Sequence, residues 1–404
     1  MDTRQHIEHE SRFSAHNYHP IPVVIEEAQG VWIRDVDGRK YIDMLSAYSA
    51  VNQGHRHPRI IDAAVRQMGR VTLTSRAFHN DRLGAFCQKL AELAGMDSVL
   101  PMNTGAEAVE TAIKCARRFA YRRKVVPADR AEIIVAADNF HGRTSTIISF
   151  SSDPGTRKDF GPFAPGFVTV PYGDLAALEK AITPNTAAFL FEPIQGEAGV
   201  VVPPDGYVAG VRALCSRNNV LMVADEIQTG LGRCGRLFAC DLDDVKPDIY
   251  VLGKALGGGL VPISAMVARN DVMSVFDPGS HGSTFGGNPL ACAIAMEALD
   301  VIIDERLPER ADEQGRRFRG ALADLVGRGV VKDVRGRGLL NAVEIDRAAG
   351  PARPFTMRLK DAGVLAKETH DTTIRFAPPL TISDDEMTWA LDRIRSVLTT
   401  PAAI

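Results

Sequence analysis

The chain has 404 residues, 45% of them hydrophobic and 24% charged, and a formal net charge of -3 at pH 7. That length supports a large core and two domains, and the small negative charge excludes a basic field for nucleic acid or an anionic membrane. Six scattered cysteines form no Cys-x-x-Cys pair, no apolar run is long enough to span a bilayer, and the polar start "MDTRQHIEHESRF" fits neither a signal nor a transit peptide. The expectation is a cytoplasmic, enzyme-sized protein with free thiols and no metal.

In chain order, "GVWIRDVDGRKYIDML" (30–45) sets Asp37-Gly38 between two β-prone runs, a hairpin signal. His55 and His57 in "NQGHRHP" read as loop residues, since no carboxylate or cysteine lies at ligand spacing. "PMNTGAEAVETAIKCARR" opens a strongly helical segment with Asn103-Thr104-Gly105-Ala106, and main-chain N–H groups at a helix start form an anion site. Four near-continuous apolar runs follow: "EIIVAAD" (132–138), "AAFLFE" (187–192), "VLMVAD" (220–225) and "IYVLG" (249–253). Helical spacing lies between them at 174–182 and 207–219. This alternation predicts an α/β domain with a mostly parallel sheet covered on both faces.

The ends of the chain read differently. "VVKDVRGRGLLNAVEI" and "TIRFAPPL" are strand-like and flank the helical "FTMRLKDAG", and Ser383-x-x-Glu386 is a capping box for a last helix. The expected organisation is a large cofactor-binding α/β domain over 51–288. A smaller α+β domain is built from the N-terminal segment 1–50 and from 289–404.

Ligands of such sheets sit outside the carboxyl ends of the strands. There "VLMVAD" ends in Asp225, followed by Gln228, and "IYVLG" is followed by Lys254. "EIIVAAD" leads to Phe140, His141 and Arg143, and "AAFLFE" to Glu192, Gln195 and Glu197. Lysine is rarely buried unless something pairs with it. Pyridoxal phosphate needs a lysine for a Schiff base, a carboxylate for its ring nitrogen, a phosphate cradle and an aromatic face. Lys254, Asp225, Thr104-Gly105-Ala106 and Phe140 meet those four needs. Taken singly, each has a plain structural reading: a solvated strand-end amine, a strand-end turn, a helix cap, a core aromatic. The match to a P-loop is weak, because Ala255 follows Gly253-Lys254 and the upstream glycine is missing.

The motifs "SAYSAVNQGHRHP", "PMNTGAEAVETA", "FHGRT", "FEPIQGEAGVVVP", "ADEIQTGLGR", "LGKALGGGLVPISA" and "HGSTFGGNPLA" together resemble the class III, fold-type I aminotransferases over nearly the whole chain. "HNYHP", "SAYSAVNQGH" and "IRFAPPL" narrow the likeness to the ornithine aminotransferases. The resemblance implies that Lys254 carries the cofactor, Asp225 faces the pyridine nitrogen, Gln228 the ring oxygen, and Gly105 and Ala106 the phosphate. Phe140 would stack on the ring. Thr284 would reach the phosphate from a neighbouring subunit, which implies a homodimer with shared active sites, and possibly a higher oligomer.

For substrates, the resemblance implies Tyr18, Tyr48 and Arg143 around the amino-acid head of L-ornithine, and Arg375 for a carboxylate of 2-oxoglutarate. Glu197 would mask Arg375 during the ornithine half-reaction. A ping-pong ornithine δ-aminotransferase is the function expected, serving proline biosynthesis or arginine metabolism. The alternatives are another ω-aminotransferase acting on N-acetylornithine, GABA or a diamine, and more remotely a non-catalytic cofactor-binding homologue. Two positions depart from the family pattern: His141 stands where tryptophan is usual, and Phe285 where tyrosine is usual.

Overall fold

A computed structural model describes residues 1–399; the last five positions of the 289–404 segment lie outside the described residues. The strands, in chain order, are β1 (Ile25–Gln29), β2 (Trp32–Asp35), β3 (Lys40–Asp43), β4 (Ser98–Met102), β5 (Glu132–Ala136), β6 (Phe167–Val170), β7 (Thr186–Phe191) and β8 (Leu221–Asp225). They continue with β9 (Ile249–Leu252), β10 (Ser264–Ala268), β11 (Val331–Arg337), β12 (Leu340–Ile345), β13 (Val364–Leu365), β14 (Lys367–Thr369) and β15 (Thr373–Phe376).

Seven of them form the central sheet, in the order β4-β10-β9-β8-β7-β5-β6. All of its pairings are parallel except those of β10, which runs against both β4 and β9. Every residue of β7, β8 and β9 is buried, which is why these strands read as continuous apolar runs rather than as alternation. Alternate side chains serve opposite faces. Phe189 and Phe191 join the core that holds Tyr207, Val211 and Leu214 of the helix Tyr207–Arg217. Ala188 and Leu190 join the one that holds Val109, Ala112 and Ile113 of the helix Gly105–Arg122. The helices wrap both faces, as expected for this α/β class.

Two four-stranded sheets flank it, β1-β2-β3-β13 and β11-β12-β15-β14. The first is closed by remote chain: β13 lies parallel to β3, with Val364 opposite Ile42. The hairpin at Asp37-Gly38 joins β2 to β3, and the Ser383–Glu386 capping box opens the helix Asp384–Leu398. Among the described residues, no helix is long and apolar enough to cross a membrane, and no group of three metal-ligating side chains exists. His55 instead bonds Asp43 at 2.8 Å, and His57 bonds Glu305 at 2.9 Å.

Candidate active site

The carboxyl ends of the central strands converge on a cavity of about 200 Å³, lined by Gly105, Ala106, Phe140, His141, Glu192, Glu197, Asp225, Gln228 and Lys254 among others. Lys254 follows β9 and Gly253 in a left-handed backbone conformation, φ 44°, which a side-chain-bearing residue adopts only where its surroundings fix it. Burial draws its ammonium below the ordinary lysine range, against the opposing pull of Glu197 and Asp225. A lysine held this way is closer to the free-amine form that can act as nucleophile and base.

Asp225 is buried at the end of β8. One oxygen accepts the Ile227 N–H at 3.1 Å, and the other meets His141 Nδ1 at 2.6 Å. Burial pushes the imidazole down, yet the bond to Asp225 and its charge, with Glu192 nearby, outweigh this and raise it. Glu192 follows β7 and accepts the Phe140 N–H at 3.0 Å, while burial lifts its carboxyl to about 7. His141 and Glu192 were visible in the sequence as strand-end residues but carried no assigned role. The signal was their place after β5 and β7, beside the residues that did.

Opposite these acids lies a donor cradle. Thr104 caps the helix Gly105–Arg122 with a reciprocal box to Glu107, and its carbonyl accepts the Ser264 hydroxyl at 2.7 Å. The N–H groups of Gly105 and Ala106 have no acceptor inside the helix and face an anion's place. A Cβ on Gly142, where φ is +125°, would stand 2.9 Å from Ala106 Cβ, so that approach needs glycine; one on Gly105 would press on Ile227 Cδ1 at 3.0 Å. Gln228 Oε1 is buried with no partner among the described residues. An amine, a carboxylate, a flat aromatic wall at Phe140, unsatisfied helix N–H groups and an orphaned amide together suit a phosphorylated pyridine aldehyde. The residues present fit pyridoxal phosphate.

The mouth is built by other elements. Arg375 on β15 donates from Nη1 to Glu197 Oε1 at 2.6 Å, and Gln228 Nε2 donates to the same oxygen at 3.2 Å. Burial pushes the Glu197 carboxyl up, but Arg375 outweighs it and holds the group below its ordinary value. The Arg375 guanidinium sits over the Tyr48 ring, 5.0 Å from its centroid. Tyr48 belongs to a run of four left-handed residues, Ser46–Ser49, none of them glycine. That costly turn is held by Asp43, whose carboxylate accepts the N–H groups of Leu45 and Ser46 at 2.8 Å each, and by Arg233, which donates to Ser46 Oγ at 2.9 Å. Arg143 is exposed at the rim, 5.8 Å from the centre of the Phe140 ring. Tyr18 is 75% exposed, yet close enough to Tyr48 to influence its phenol. Thr284 is exposed on the loop before the helix Pro289–Asp304 and does not line this cavity.

The model of the class-III aminotransferases matches residues 13–398. Ornithine aminotransferase of Brevibacillus brevis is 58% identical over 97% of both chains. Among solved structures, ornithine aminotransferase of Toxoplasma gondii superposes with a TM-score of 0.97 at 49% identity, covering 98% of this chain and 95% of that one. Acetylornithine aminotransferase of Elizabethkingia anophelis superposes at 0.90 with 47% identity, covering 98% and 99%. The chain belongs to the class-III aminotransferase family.

Proposed function

We propose that the chain is an ornithine δ-aminotransferase, converting L-ornithine and 2-oxoglutarate to L-glutamate 5-semialdehyde and L-glutamate in two alternating half-reactions. The carrying observation is the Glu197–Arg375 pair set against Tyr48. It gives one mouth a masked cation for a substrate without a carboxylate there, and an unmasked one for a dicarboxylate. The similarity to ornithine aminotransferases along the full chain supports the same reading.

Pyridoxal phosphate is the cofactor. When bound, it supplies an electron-withdrawing ring that stabilises the charge left as a proton departs from the amine-bearing carbon. Lys254 would hold it and then carry that proton as base and acid. Asp225, steadied by His141, would hold negative charge beside the ring nitrogen. Gly105 and Ala106, with Thr104 behind them, would hold the phosphate; Phe140 would cover the ring and Gln228 would meet its oxygen. Tyr18, Tyr48 and Arg143 would receive the amino-acid head of ornithine, with arginine pairing its carboxylate. Arg375 would bind the 2-oxoglutarate carboxylate once Glu197 swings away. The semialdehyde would close on its own amine, which lies at five-ring distance.

On this reading the cofactor-binding domain spans 51–288, with 1–50 and 289–404 supplying the smaller domain and the mouth. The protein would act in the cytoplasm as a homodimer in which Thr284 reaches the partner's phosphate site, within proline or arginine metabolism. The likeness to ornithine aminotransferases does not favour the alternative, an acetylornithine-acting enzyme. An o-aminobenzaldehyde assay of pyrroline formation from ornithine tests the proposal: signal should require 2-oxoglutarate, and its absence from active holoenzyme would overturn the reading.

A further inference from the structure

The N-terminal stretch that carries Tyr18 has no helix or strand from Ser14 to Val24, and Tyr18 itself is 75% exposed. A side chain so placed has little packing to fix it, so its position depends on how the backbone beside it is tied down. The tie comes from the far end of the chain. Arg353, on the helix Ala352–Asp361, donates from Nη2 to the Pro20 carbonyl at 2.9 Å and from Nη1 to Glu368 Oε1 at 2.8 Å. Its two fork arms thus join the Tyr18 stretch to β14.

β14 is only three residues long, and each has a connection to the mouth. Lys367 lies opposite Arg375 in the β14–β15 register. Thr369 Oγ1 donates to the Glu197 carbonyl at 2.8 Å, holding that loop's backbone without engaging its carboxylate. Glu368 takes Arg353 on one oxygen and the Thr356 hydroxyl, at 2.8 Å, on the other. Burial is what chiefly raises the Tyr48 phenol, and Tyr18 and Glu368 lie near enough to add small upward pulls. One short strand therefore gathers Arg375, Glu197 and, through Arg353, the strap bearing Tyr18.

We infer that Arg353 is a positioning residue for substrate selection: it docks the Tyr18 strap over the mouth for an amino acid presenting its distal amine. This deepens the ornithine reading and rests on it. Arg353 touches no reacting atom. Its loss should weaken recognition of the ornithine head and spare 2-oxoglutarate, whose proposed cation is Arg375.

The experiment compares holoenzyme with Arg353→Met, Arg353→Lys, Tyr18→Ala and the Arg353→Met/Tyr18→Ala double variant. Glu368 keeps Lys367 and Thr356 as partners when Arg353 is replaced, so no buried carboxylate is stranded. For Arg353→Met, KM for ornithine should rise roughly tenfold with kcat little changed and KM for 2-oxoglutarate unmoved. Limited proteolysis within residues 15–22 should accelerate. Arg353→Lys keeps the charge but not the fork and should behave like Arg353→Met. The double variant should be no worse than Tyr18→Ala alone, the mark of two residues acting through one contact. Unchanged proteolysis, fully additive losses, or wild-type behaviour of Arg353→Lys would overturn the inference. So would faster cleavage with an unaltered KM for ornithine. Failure of the ornithine reading is separable, because the wild-type enzyme would then show no ornithine turnover at all.

Discussion

Glu197 Oε1 stands between two donors, Arg375 Nη1 at 2.6 Å and Gln228 Nε2 at 3.2 Å. The Arg375 side chain is 5% exposed and the Glu197 side chain 27%, so the acid is the member of the pair with room to leave. A buried cation without its partner is costly, and an incoming carboxylate can replace that partner at little net cost. Such an exchange lets one pocket accept two substrates of different charge in turn.

Replacing Glu197 by Ala leaves Arg375 open. The glutamate half-reaction should then gain on the ornithine half-reaction by roughly tenfold, on the order of 1.4 kcal/mol. Single-turnover stopped-flow with each amino acid separately reads the two rates. Equal changes in both would rule out an exchange of partners.

Lys254→Ala removes the amine that is to hold the cofactor and move the proton. Turnover should fall by at least about 10³-fold. Cofactor absorbance, followed after dialysis, should show weaker retention as well. A variant near wild-type activity would place the chemistry elsewhere.

Tyr48 presents its phenol from a left-handed turn directly beneath Arg375. Tyr48→Ile removes that hydroxyl and keeps an apolar wall. The ratio of kcat/KM for ornithine to that for GABA should drop by about tenfold or more. An unaltered ratio from competing-substrate assays would remove Tyr48 from the selectivity pocket.

Glu368 supplies a pH dependence of stability. Burial pushes its carboxyl up, but bonds from Lys367, Thr356 and Arg353 outweigh this and bring it to about 2. The folded value lies below the ordinary one, so the stabilisation is complete above about pH 5 and drains away as pH falls toward 2. It amounts to at most about 3 kcal/mol. Urea midpoints of wild type and Glu368→Gln should differ at pH 7, begin to approach each other below about pH 5, and converge only as the pH nears 2. A gap that widens on acidification would reverse the assignment.

The central sheet was legible because β7, β8 and β9 are buried on both faces and so spell continuous apolar words ending at Glu192, Asp225 and Lys254. The anion cradle was legible from Thr104-Gly105, since a cap and a glycine at a helix start have a local chemical reason. Other features were not. The parallel pairing of β13 with β3 joins segments more than 300 residues apart, and two short strands carry no signal of their partner. The left-handed run at Ser46–Ser49 contains no glycine, so its conformation rests on contacts such as those of Asp43 and Arg233. His141 stood out as a departure, but its bond to Asp225 depends on how β5 and β8 are spaced across β7. Nothing in the sequence around Arg353 signals the Pro20 carbonyl that its fork reaches.

The most direct measurement is kcat/KM for ornithine, N-acetylornithine and GABA on the same purified holoenzyme, each with saturating 2-oxoglutarate and with glutamate formation as the common readout. Ornithine should lead both others by at least about 100-fold. A lead by N-acetylornithine or GABA would keep the class-III chemistry and contradict the substrate assigned to the Tyr18, Tyr48 and Arg143 pocket.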